Sequence, residues 1–323
     1  MKKALLVTGG AGFIGANFIH YLMEQTDYAV TNVDALTYAS HPFMQYAFPD
    51  HPQYRFIQCD LTNPKHVEKV FDQTYNAIIH FAAESHVDRS IQSAAPFIDT
   101  NIKGTLHLLD AVRDGKAAKM IQISTDEVYG SLKETEPSFT ETTPLSPNNP
   151  YSASKAGADL LVHSYYNTFD VPVMITRCSN NYGPFQHLEK FIPKVITSAL
   201  TGEKIPIYGD GGQIRDWLFV EDHCRAIHAV LEKGKIGSVY NIGGDEEQTN
   251  LAVVEQIIDY LGADPTLITF VEDRLGHDRR YSINYEKIKR ELNWHPQVDF
   301  AEGLKRTVQW YKEKLKESKR ECK

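Results

Sequence analysis

The chain opens with the stretch ALLVTGGAGFIG, residues 4–15, in which an apolar run leads directly into Gly9, Gly12 and Gly15 at three-residue spacing. Glycine allows a sharp turn and lets the backbone approach a ligand closely. The helical pattern that follows puts the positive end of a helix at this turn, where free N–H groups can hold a pyrophosphate. The stretch predicts a dinucleotide-binding turn, and a plain tight turn is the alternative for a glycine triplet alone.

Short apolar runs alternate with helical patterns through the first half of the chain. After the opening run, the apolar runs are AVTNVD, RFIQCD, AIIHFA, MIQIST and VPVMIT. Helical patterns cover residues 13–23, 97–112 and 151–169. This alternation predicts an α/β fold built on a doubly wound, parallel Rossmann sheet, which binds its ligands at the carboxyl ends of the strands.

Asp34 ends the second apolar run, 19 residues after Gly15. A carboxylate there can accept hydrogen bonds from the ribose hydroxyls of a dinucleotide, and its charge would repel a 2′-phosphate. The position therefore favours NAD over NADP. An aspartate that only caps the following turn is the alternative.

Composition excludes several partners. The 323 residues carry a net charge of -8 without long runs of one sign, which argues against nucleic acid or an anionic membrane as the main partner. The apolar run at the start ends too early for a signal peptide, and no segment approaches the roughly 20 apolar residues of a membrane span. The cysteines form neither a CxxC pair nor a metal-ligand cluster, so we expect a reduced, cytoplasmic protein without a metal. They are Cys59, Cys178, Cys224 and Cys322.

The motif YSASK places Tyr151 and Lys155 four residues apart at the start of a helical pattern, so that both side chains project from one face. A nearby ammonium group and a cationic nicotinamide would lower the pKa of the phenol and make Tyr151 a general base near neutral pH. Two other pairs share the interval, Tyr129 with Lys133 and Tyr285 with Lys289. Only the YSASK pair follows a parallel-sheet strand and opens a helix.

The stretch MIQISTDEVYG, residues 120–130, puts two carboxylates at the tip of a buried strand. A solvated strand end is the usual explanation. In a dry site, however, neighbouring carboxylates resist ionising together, so that one can act as an acid and the other as a base. Because adjacent strand residues point to opposite faces, we expect the strand to end near Thr125 and the backbone to turn, bringing Asp126 and Glu127 to one pocket.

TGGAGFIG, Asp34 and YSASK together resemble the extended short-chain dehydrogenase/reductases, a family that acts largely on nucleotide sugars. A closer resemblance, to the 4,6-dehydratases of dTDP-glucose within that family, covers most of residues 8–281. It rests on segments such as AAESHVDRSI, STDEVYG, TRCSNNYGPFQ and YGDGGQIRDWLFVEDHCRAI. Related epimerases carry small or hydroxylated residues in place of the two acids, so the resemblance favours dehydration.

The resemblance implies that C4 of a hexose is oxidised, that water is lost from C5 and C6, and that hydride returns to C6. Tyr151 would take the proton of the C4 hydroxyl, beside Lys155, and Thr125 would hydrogen-bond the same oxygen. Glu127 would remove the C5 proton. Asp126, held protonated, would give its proton to the leaving C6 hydroxyl.

The resemblance also implies two sets of ligand-binding residues. Tightly bound, recycled NAD is expected on Gly9, Gly12, Phe13, Ile14, Gly15, Asp34, Asp60, Leu61, Phe81, Ala82, Ala83, Ser85, Thr100, Tyr151, Lys155 and Asn181. The nucleotide-diphosphate sugar is expected on Ser85, Thr125, Asn180, Glu189, Lys190, Pro206, Tyr208, Arg215, Asn250, Arg274 and His277. The family usually has proline where this chain has Leu275, which puts the rigidity of the Arg274 loop in question.

After residue 180 the elements become shorter and glycine-rich turns appear, so we expect a smaller α/β lobe. Residues 1–179 and 217–243 are predicted to form the NAD-binding domain, and residues 180–216 and 244–323 the nucleotide-sugar-binding lobe. A homodimer is expected from the resemblance. Two alternatives stay open: a dehydratase or decarboxylase of a UDP-sugar, and a non-catalytic dinucleotide sensor, which would be expected to lose a catalytic residue.

Overall fold

The computed structural model describes residues 3–48, 51–273 and 276–321. Its strands are β1 (Ala4–Thr8), β2 (Ala29–Asp34), β3 (Tyr54–Gln58), β4 (Ala77–His80), β5 (Met120–Thr125), β6 (Val173–Cys178), β7 (Asn180–Tyr182), β8 (Ile205–Tyr208), β9 (Ile214–Phe219), β10 (Val239–Ile242), β11 (Glu247–Thr249) and β12 (Ile268–Val271). Its helices are α1 (Phe13–Gln25), α2 (Pro64–Val70), α3 (Val87–Gln92), α4 (Ala95–Phe97), α5 (Gly104–Arg113), α6 (Pro150–Phe169), α7 (Phe191–Thr201), α8 (Val220–Lys233), α9 (Asn250–Leu261), α10 (Glu286–Leu292) and α11 (Phe300–Glu321). None of these described helices is both long and apolar enough to cross a membrane.

A seven-stranded parallel sheet forms the centre, in the order β10-β6-β5-β4-β1-β2-β3. Helices cover both faces, so the strands are apolar on both: Leu5 and Val7 belong to one hydrophobic core and Leu6 to the other. The chain runs outward from β1 to β3 and then returns to the other side of β1 with β4. The carboxyl ends of β1 and β4 therefore flank the crevice in which doubly wound sheets bind ligands.

The sheet confirms the predicted α/β, doubly wound fold. Each apolar run quoted above forms one of its strands. The pattern at residues 151–169 forms α6, which begins one residue earlier because Pro150 occupies its first turn. The pattern at residues 97–112 is divided by a π-helical turn, Ile98–Lys103, which packs against α6.

A smaller part surrounds a three-stranded sheet, β11-β9-β7, and a two-stranded sheet, β12-β8. Trp217 and Phe219 of β9 belong to its hydrophobic core, so the predicted boundary at residue 217 falls inside a strand. β10 does return to the main sheet, and Ile288 and Leu292 of α10 share the core of Leu5. The division of labour between the two parts stays a prediction.

Candidate active site

The glycine turn joins β1 to α1 and packs tightly against the end of β4. Gly9 has a φ of +70°, and a Cβ there would lie 2.5 Å from the backbone nitrogen of Ala82. A Cβ at Gly15 would lie 2.2 Å from the carbonyl oxygen of Gly9. Both positions therefore require glycine. α1 begins at Phe13, directly after the turn, so its positive dipole end lies at the crevice.

Asp34 ties the glycine turn to the loop after β2. Its Oδ2 accepts the backbone N–H of Ala11 at 2.9 Å, and its Oδ1 accepts the N–H of Leu36 and the hydroxyl of Ser40, both at 2.8 Å. The carboxylate thus caps the following turn, which was the alternative to a role in cofactor binding. It also lines the crevice, and a carboxylate has about four acceptor sites, so both roles are compatible.

A cleft of about 550 Å³ follows the carboxyl ends of the strands. This volume lies in the usual range for cofactor and small-ligand sites. All of the residues predicted to bind the cofactor line it: Gly9, Gly12, Phe13, Ile14, Gly15, Asp34, Asp60, Leu61, Phe81, Ala82, Ala83, Ser85, Thr100, Tyr151, Lys155 and Asn181. The fold therefore gathers positions that are scattered from residue 9 to residue 181.

The strand that carries the acids ends where the sequence predicts. β5 stops at Thr125, and residues Asp126–Tyr129 form a 3-10 turn. The Thr125 hydroxyl accepts the backbone N–H of Glu127 at 3.3 Å and thereby caps this turn. Asp126 and Glu127 consequently line the same cleft, as the two-acid hypothesis requires.

Burial raises the pKa of both acids. Asp126 is 1% exposed, and loss of water raises its pKa well above the ordinary value, with a further rise from the charge of Glu127. Burial also raises the pKa of Glu127, whereas the positive charges of Arg215 and Lys190 lower it. The rise is therefore the stronger for Asp126, whereas Arg215 lowers the pKa of both acids and Lys190 lowers that of Glu127.

The first turn of α6 presents the tyrosine and the lysine. Asn149 caps the helix by accepting the N–H of Ser152 at 2.9 Å, and its own N–H is bound by the Ser152 hydroxyl at 3.3 Å. This capping box fixes the start of the helix, so that Tyr151 and Lys155 both line the cleft. The ammonium group of Lys155 donates a hydrogen bond of 2.6 Å to the carbonyl oxygen of Ile123.

The pKa of Tyr151 moves in the direction opposite to our prediction. Burial raises it well above the ordinary value, and the charges of Glu127, Cys178 and Asp126 raise it further, against a hydrogen bond with Thr125. The chain's own groups thus oppose the phenolate, and the lowering that we predicted needs positive charge beyond Lys155. Burial likewise lowers the pKa of Lys155.

The predicted substrate residues fall into two groups. Ser85, Thr125, Asn180 and Lys190 line the same cleft. Glu189, Pro206, Tyr208, Arg215, Asn250 and His277 lie outside the described lining of that cleft, on or beside the smaller part. Arg274 lies outside the described residues, as does Leu275.

Arg215 and Glu189 are held by neighbouring groups. The Arg215 guanidinium donates to the carbonyl oxygen of Asp278 at 3.0 Å and lies 4.3 Å from the centre of the Tyr281 ring. The Oε2 atom of Glu189 lies 3.6 Å from Nη2 of Arg89, and its Oε1 atom lies 3.6 Å from Nδ1 of His187. Both side chains are therefore oriented by the protein itself.

Comparison with known proteins identifies the family. The family model described as GDP-mannose 4,6 dehydratase matches residues 6–307. The chain belongs to the 4,6-dehydratase family of nucleotide-sugar enzymes. The dehydratase is 50% identical to the low-salt glycan biosynthesis protein Agl12 of Haloferax volcanii, over 95% of this chain and 98% of that protein. It is 48% identical to dTDP-glucose 4,6-dehydratase of Neisseria gonorrhoeae, over 96% of each.

A solved structure matches the dehydratase over almost its whole length. The dTDP-glucose 4,6-dehydratase DesIV of Streptomyces venezuelae was crystallised with NAD and dTDP bound. It is 46% identical and has a TM-score of 0.93, with coverage of 96% of this chain and 97% of that one. The shared fold therefore extends through the smaller part as well as the sheet.

Sequence reasoning missed several residues that line the cleft of this dehydratase. Cys178, the last residue of β6, pairs in register with Thr125 and lines the cleft. Thr37 and Ser40, in the loop after Asp34, also line it. Their positions could have been found, because residues at the carboxyl ends of neighbouring parallel strands meet at one edge of the sheet.

Proposed function

We propose that this dehydratase converts dTDP-glucose to dTDP-4-keto-6-deoxyglucose. One observation carries the proposal: the two acids at the end of β5 share a cleft with Tyr151 and Lys155. Loss of water from C5 and C6 needs one group that removes a proton and another that supplies one. Relatives that match almost the whole chain include dTDP-glucose 4,6-dehydratases, which favours this substrate.

NAD fits the residues of the cleft. The glycine turn lines the cleft beside the start of α1, where backbone N–H groups can bind a pyrophosphate. Asp34 can accept hydrogen bonds from ribose hydroxyls, and its charge would repel a 2′-phosphate. When bound, NAD would take up hydride from C4 and return it to C6 while C5 regains a proton, so the cofactor would be regenerated in each cycle and could be held tightly. Residues 1–179 and 217–243 would hold this cofactor, and residues 180–216 and 244–323 the nucleotide sugar.

Four side chains divide the proton transfers. The Tyr151 hydroxyl oxygen takes the proton of the C4 hydroxyl, with Lys155 supplying positive charge, and Thr125 hydrogen-bonds the same oxygen. Once C4 is a ketone, the C5 proton is acidic enough for the Glu127 carboxylate to remove it. Asp126, kept neutral by burial, gives its proton to the leaving C6 hydroxyl.

The nucleotide diphosphate requires local cations, because the chain as a whole is acidic. We assign Lys190, Arg215, Arg274 and His277 to this task, since guanidinium and ammonium groups suit phosphate oxygens. Asn180, Glu189, Pro206, Tyr208 and Asn250 are assigned to the remaining contacts. Thymidine is favoured over uridine by the relatives alone, so a UDP-sugar dehydratase or decarboxylase is the alternative.

We also infer a homodimer in a reducing, cytoplasmic environment. Ile98 and Leu160 expose 48% and 60% of their surfaces on the π-helical turn and α6, which pack against each other. Two exposed apolar side chains on neighbouring elements would suit contact with a second copy of the chain. Cys59, Cys178 and Cys224 are free, buried thiols, which is typical of reducing compartments.

One experiment tests the function. The purified protein is incubated with dTDP-glucose, UDP-glucose or UDP-glucuronate without added NAD, and a new C6 methyl signal is followed by NMR. We expect the signal from dTDP-glucose only, and Tyr151→Phe protein serves as the control. Product from none of the sugars contradicts the dehydratase and favours the sensor. Product that requires added NAD contradicts only the tightly held cofactor.

A further inference from the structure

Arg177 lies beneath the cleft at the centre of a buried polar cluster. It is the next-to-last residue of β6, in register with Ser124 of β5 and Asn241 of β10. Its side chain is 6% exposed, and it is not among the described residues that line the cleft. The proton transfers proposed above do not use it.

The Arg177 guanidinium contacts two elements at once. Its Nε donates to Oδ2 of Asp159 at 2.9 Å, and its Nη1 donates to the hydroxyl oxygen of Tyr129 at 2.9 Å. The guanidinium carbon also lies 4.8 Å from the centre of the Tyr129 ring. Both partners are buried, so these charge-assisted bonds are shielded from water.

Each partner belongs to an element that carries catalytic side chains. Asp159 lies on α6, one helical turn after Lys155 and two turns after Tyr151. Tyr129 closes the 3-10 turn that begins at Asp126. Arg177 therefore joins the helix of the tyrosine–lysine pair to the turn of the two acids.

Further bonds hold Tyr129 from its other side. Its hydroxyl donates to Oδ1 of Asn241 at 2.8 Å, and Nδ2 of Asn241 donates to the carbonyl oxygen of Phe139 at 3.2 Å. The Tyr129 and Phe139 rings stack with their centres 5.1 Å apart. The Tyr129 hydroxyl therefore accepts one hydrogen bond, from Arg177, and donates another, to Asn241, which fixes its orientation.

Asp159 faces two cations in this buried region. Burial raises its pKa, whereas the charges of Arg177 and Lys155 lower it. In turn, Asp159 raises the pKa of Lys155 against the effect of burial. Buried charges are tolerated when they are paired and hydrogen-bonded, so the cluster favours the charged form of Lys155.

We propose that Arg177 is a positioning residue that fixes the acid-bearing turn and the tyrosine-bearing helix relative to each other, through Tyr129 and Asp159. Oxidation at C4 and elimination across C5 and C6 must occur on one bound sugar, and a misplacement of about 1 Å can cost about 10²-fold in rate. The inference rests on the proposed reaction, because Asp159 is assigned to the oxidation step and Tyr129 to the elimination step.

Two conservative variants separate the steps. Tyr129→Phe keeps the ring and removes one hydroxyl, so it loosens the acid-bearing turn. We expect C4 oxidation, followed as reduced-cofactor absorbance in a single turnover, to stay within about threefold of wild type, and elimination to slow about 10- to 100-fold, so that reduced cofactor accumulates. Asp159→Asn removes the anion beside Lys155, and we expect slower oxidation without that accumulation.

Tyr75→Phe is the matched control. The Tyr75 hydroxyl also accepts from an arginine, Arg55, at 2.7 Å, and donates to the carbonyl oxygen of Val70 at 3.0 Å, outside the cleft. We expect Tyr75→Phe to lose a similar amount of stability but to keep the wild-type ratio of the oxidation and elimination rates. Equal slowing of both steps in each variant, or slowing no greater than in the control, overturns the inference. A wild-type protein that forms no product contradicts the proposed function instead.

Discussion

The hydroxyl of Thr125 donates a hydrogen bond to Oδ1 of Asp126 at 3.2 Å, at the point where β5 gives way to a 3-10 turn. The same hydroxyl oxygen accepts the backbone N–H of Glu127 at 3.3 Å. One side chain therefore orients the acid and caps the turn that carries the base. The proposed reaction needs Asp126 and Glu127 to act on one sugar. The hydrogen bonds of Thr125 at the end of β5 help to place both groups.

Asp126→Asn should block elimination and leave oxidation in place. Burial holds the pKa of Asp126 well above its usual range, so the wild-type side chain is a neutral acid that can give a proton, whereas asparagine cannot. We expect product formation to fall about 10²- to 10⁴-fold, with reduced cofactor still appearing in a single turnover. Asp110→Asn, on α5 outside the cleft, is the control. Unimpaired product formation by the Asp126 variant would contradict the assignment.

The acidic limb of the pH profile should report Glu127. A base must be ionised, and burial raises the pKa of Glu127 above 4.5, so kcat/KM should fall as pH drops through this raised value. The charge of Arg215 lowers that pKa, so Arg215→Gln should move the limb to higher pH. Arg306→Gln, on the exposed face of α11, should leave it in place. If the Arg215→Gln variant has a raised KM but its acidic limb stays at the wild-type pH, Arg215 acts on the diphosphate alone.

Tyr151→Phe should suppress oxidation as well as elimination, because the phenol acts in the first step. We expect neither reduced cofactor nor product above about 10⁻² of the wild-type rate. Tyr165→Phe is a control on the same helix, since its hydroxyl donates to Asp110 at 2.8 Å outside the cleft. Rapid cofactor reduction by the Tyr151 variant would assign the base to another group.

Local patterns carried much of the fold and part of the site. The apolar runs and the glycine spacing were sufficient to predict the parallel sheet and the glycine turn, because strand and helix periodicities are local properties. The bend after Thr125 followed from pleat geometry, since Asp126 and Glu127 could not otherwise share a pocket. The pairing of β9, which contains residue 217, with β7 and β11 could not be predicted in this way, because pairing is a tertiary property.

Burial and long-range contacts in the folded chain determine properties of the site that no local sequence pattern shows. The raised pKa of Tyr151 depends on how completely the fold removes water and on the acids that meet it. The contacts of Arg177 join residues 18 and 48 positions away, so no local pattern marks them. In the sequence Tyr129 shares only a chance interval with Lys133, whereas in the fold it is held by Arg177 and Asn241.

Leu160→Glu should dissociate the proposed homodimer. Leu160 is 60% exposed on α6, and a carboxylate buried between two copies would be costly. We expect the mass measured by light scattering to fall from two chains to one. Ile236→Glu, at an exposed apolar residue elsewhere, is the control. A monomeric wild type, or dissociation in the control variant alone, would refute this surface.

The contribution of His80 to the stability of the fold should fall as pH drops below the ordinary pKa of histidine, because this side chain is buried and neutral. Its Nδ1 lies 2.7 Å from the Thr8 hydroxyl and its Nε2 lies 3.1 Å from the Thr105 hydroxyl. Burial, with a further effect of Lys155, lowers the pKa of His80 from 6.5 to about 3. Between these values the unfolded chain binds a proton at His80 that the folded chain does not, so the contribution of His80 to the free energy of unfolding rises with pH.

His80→Gln tests this dependence by urea denaturation at about pH 7 and about pH 5. One such histidine removes about 2 kcal/mol of stability between these conditions, so the variant, although less stable at the higher pH, should lose about 2 kcal/mol less on acidification. His66→Gln, at an exposed histidine, is the control and should keep the wild-type dependence. An unchanged dependence in the His80 variant would mean that this side chain gains a proton while the chain is folded.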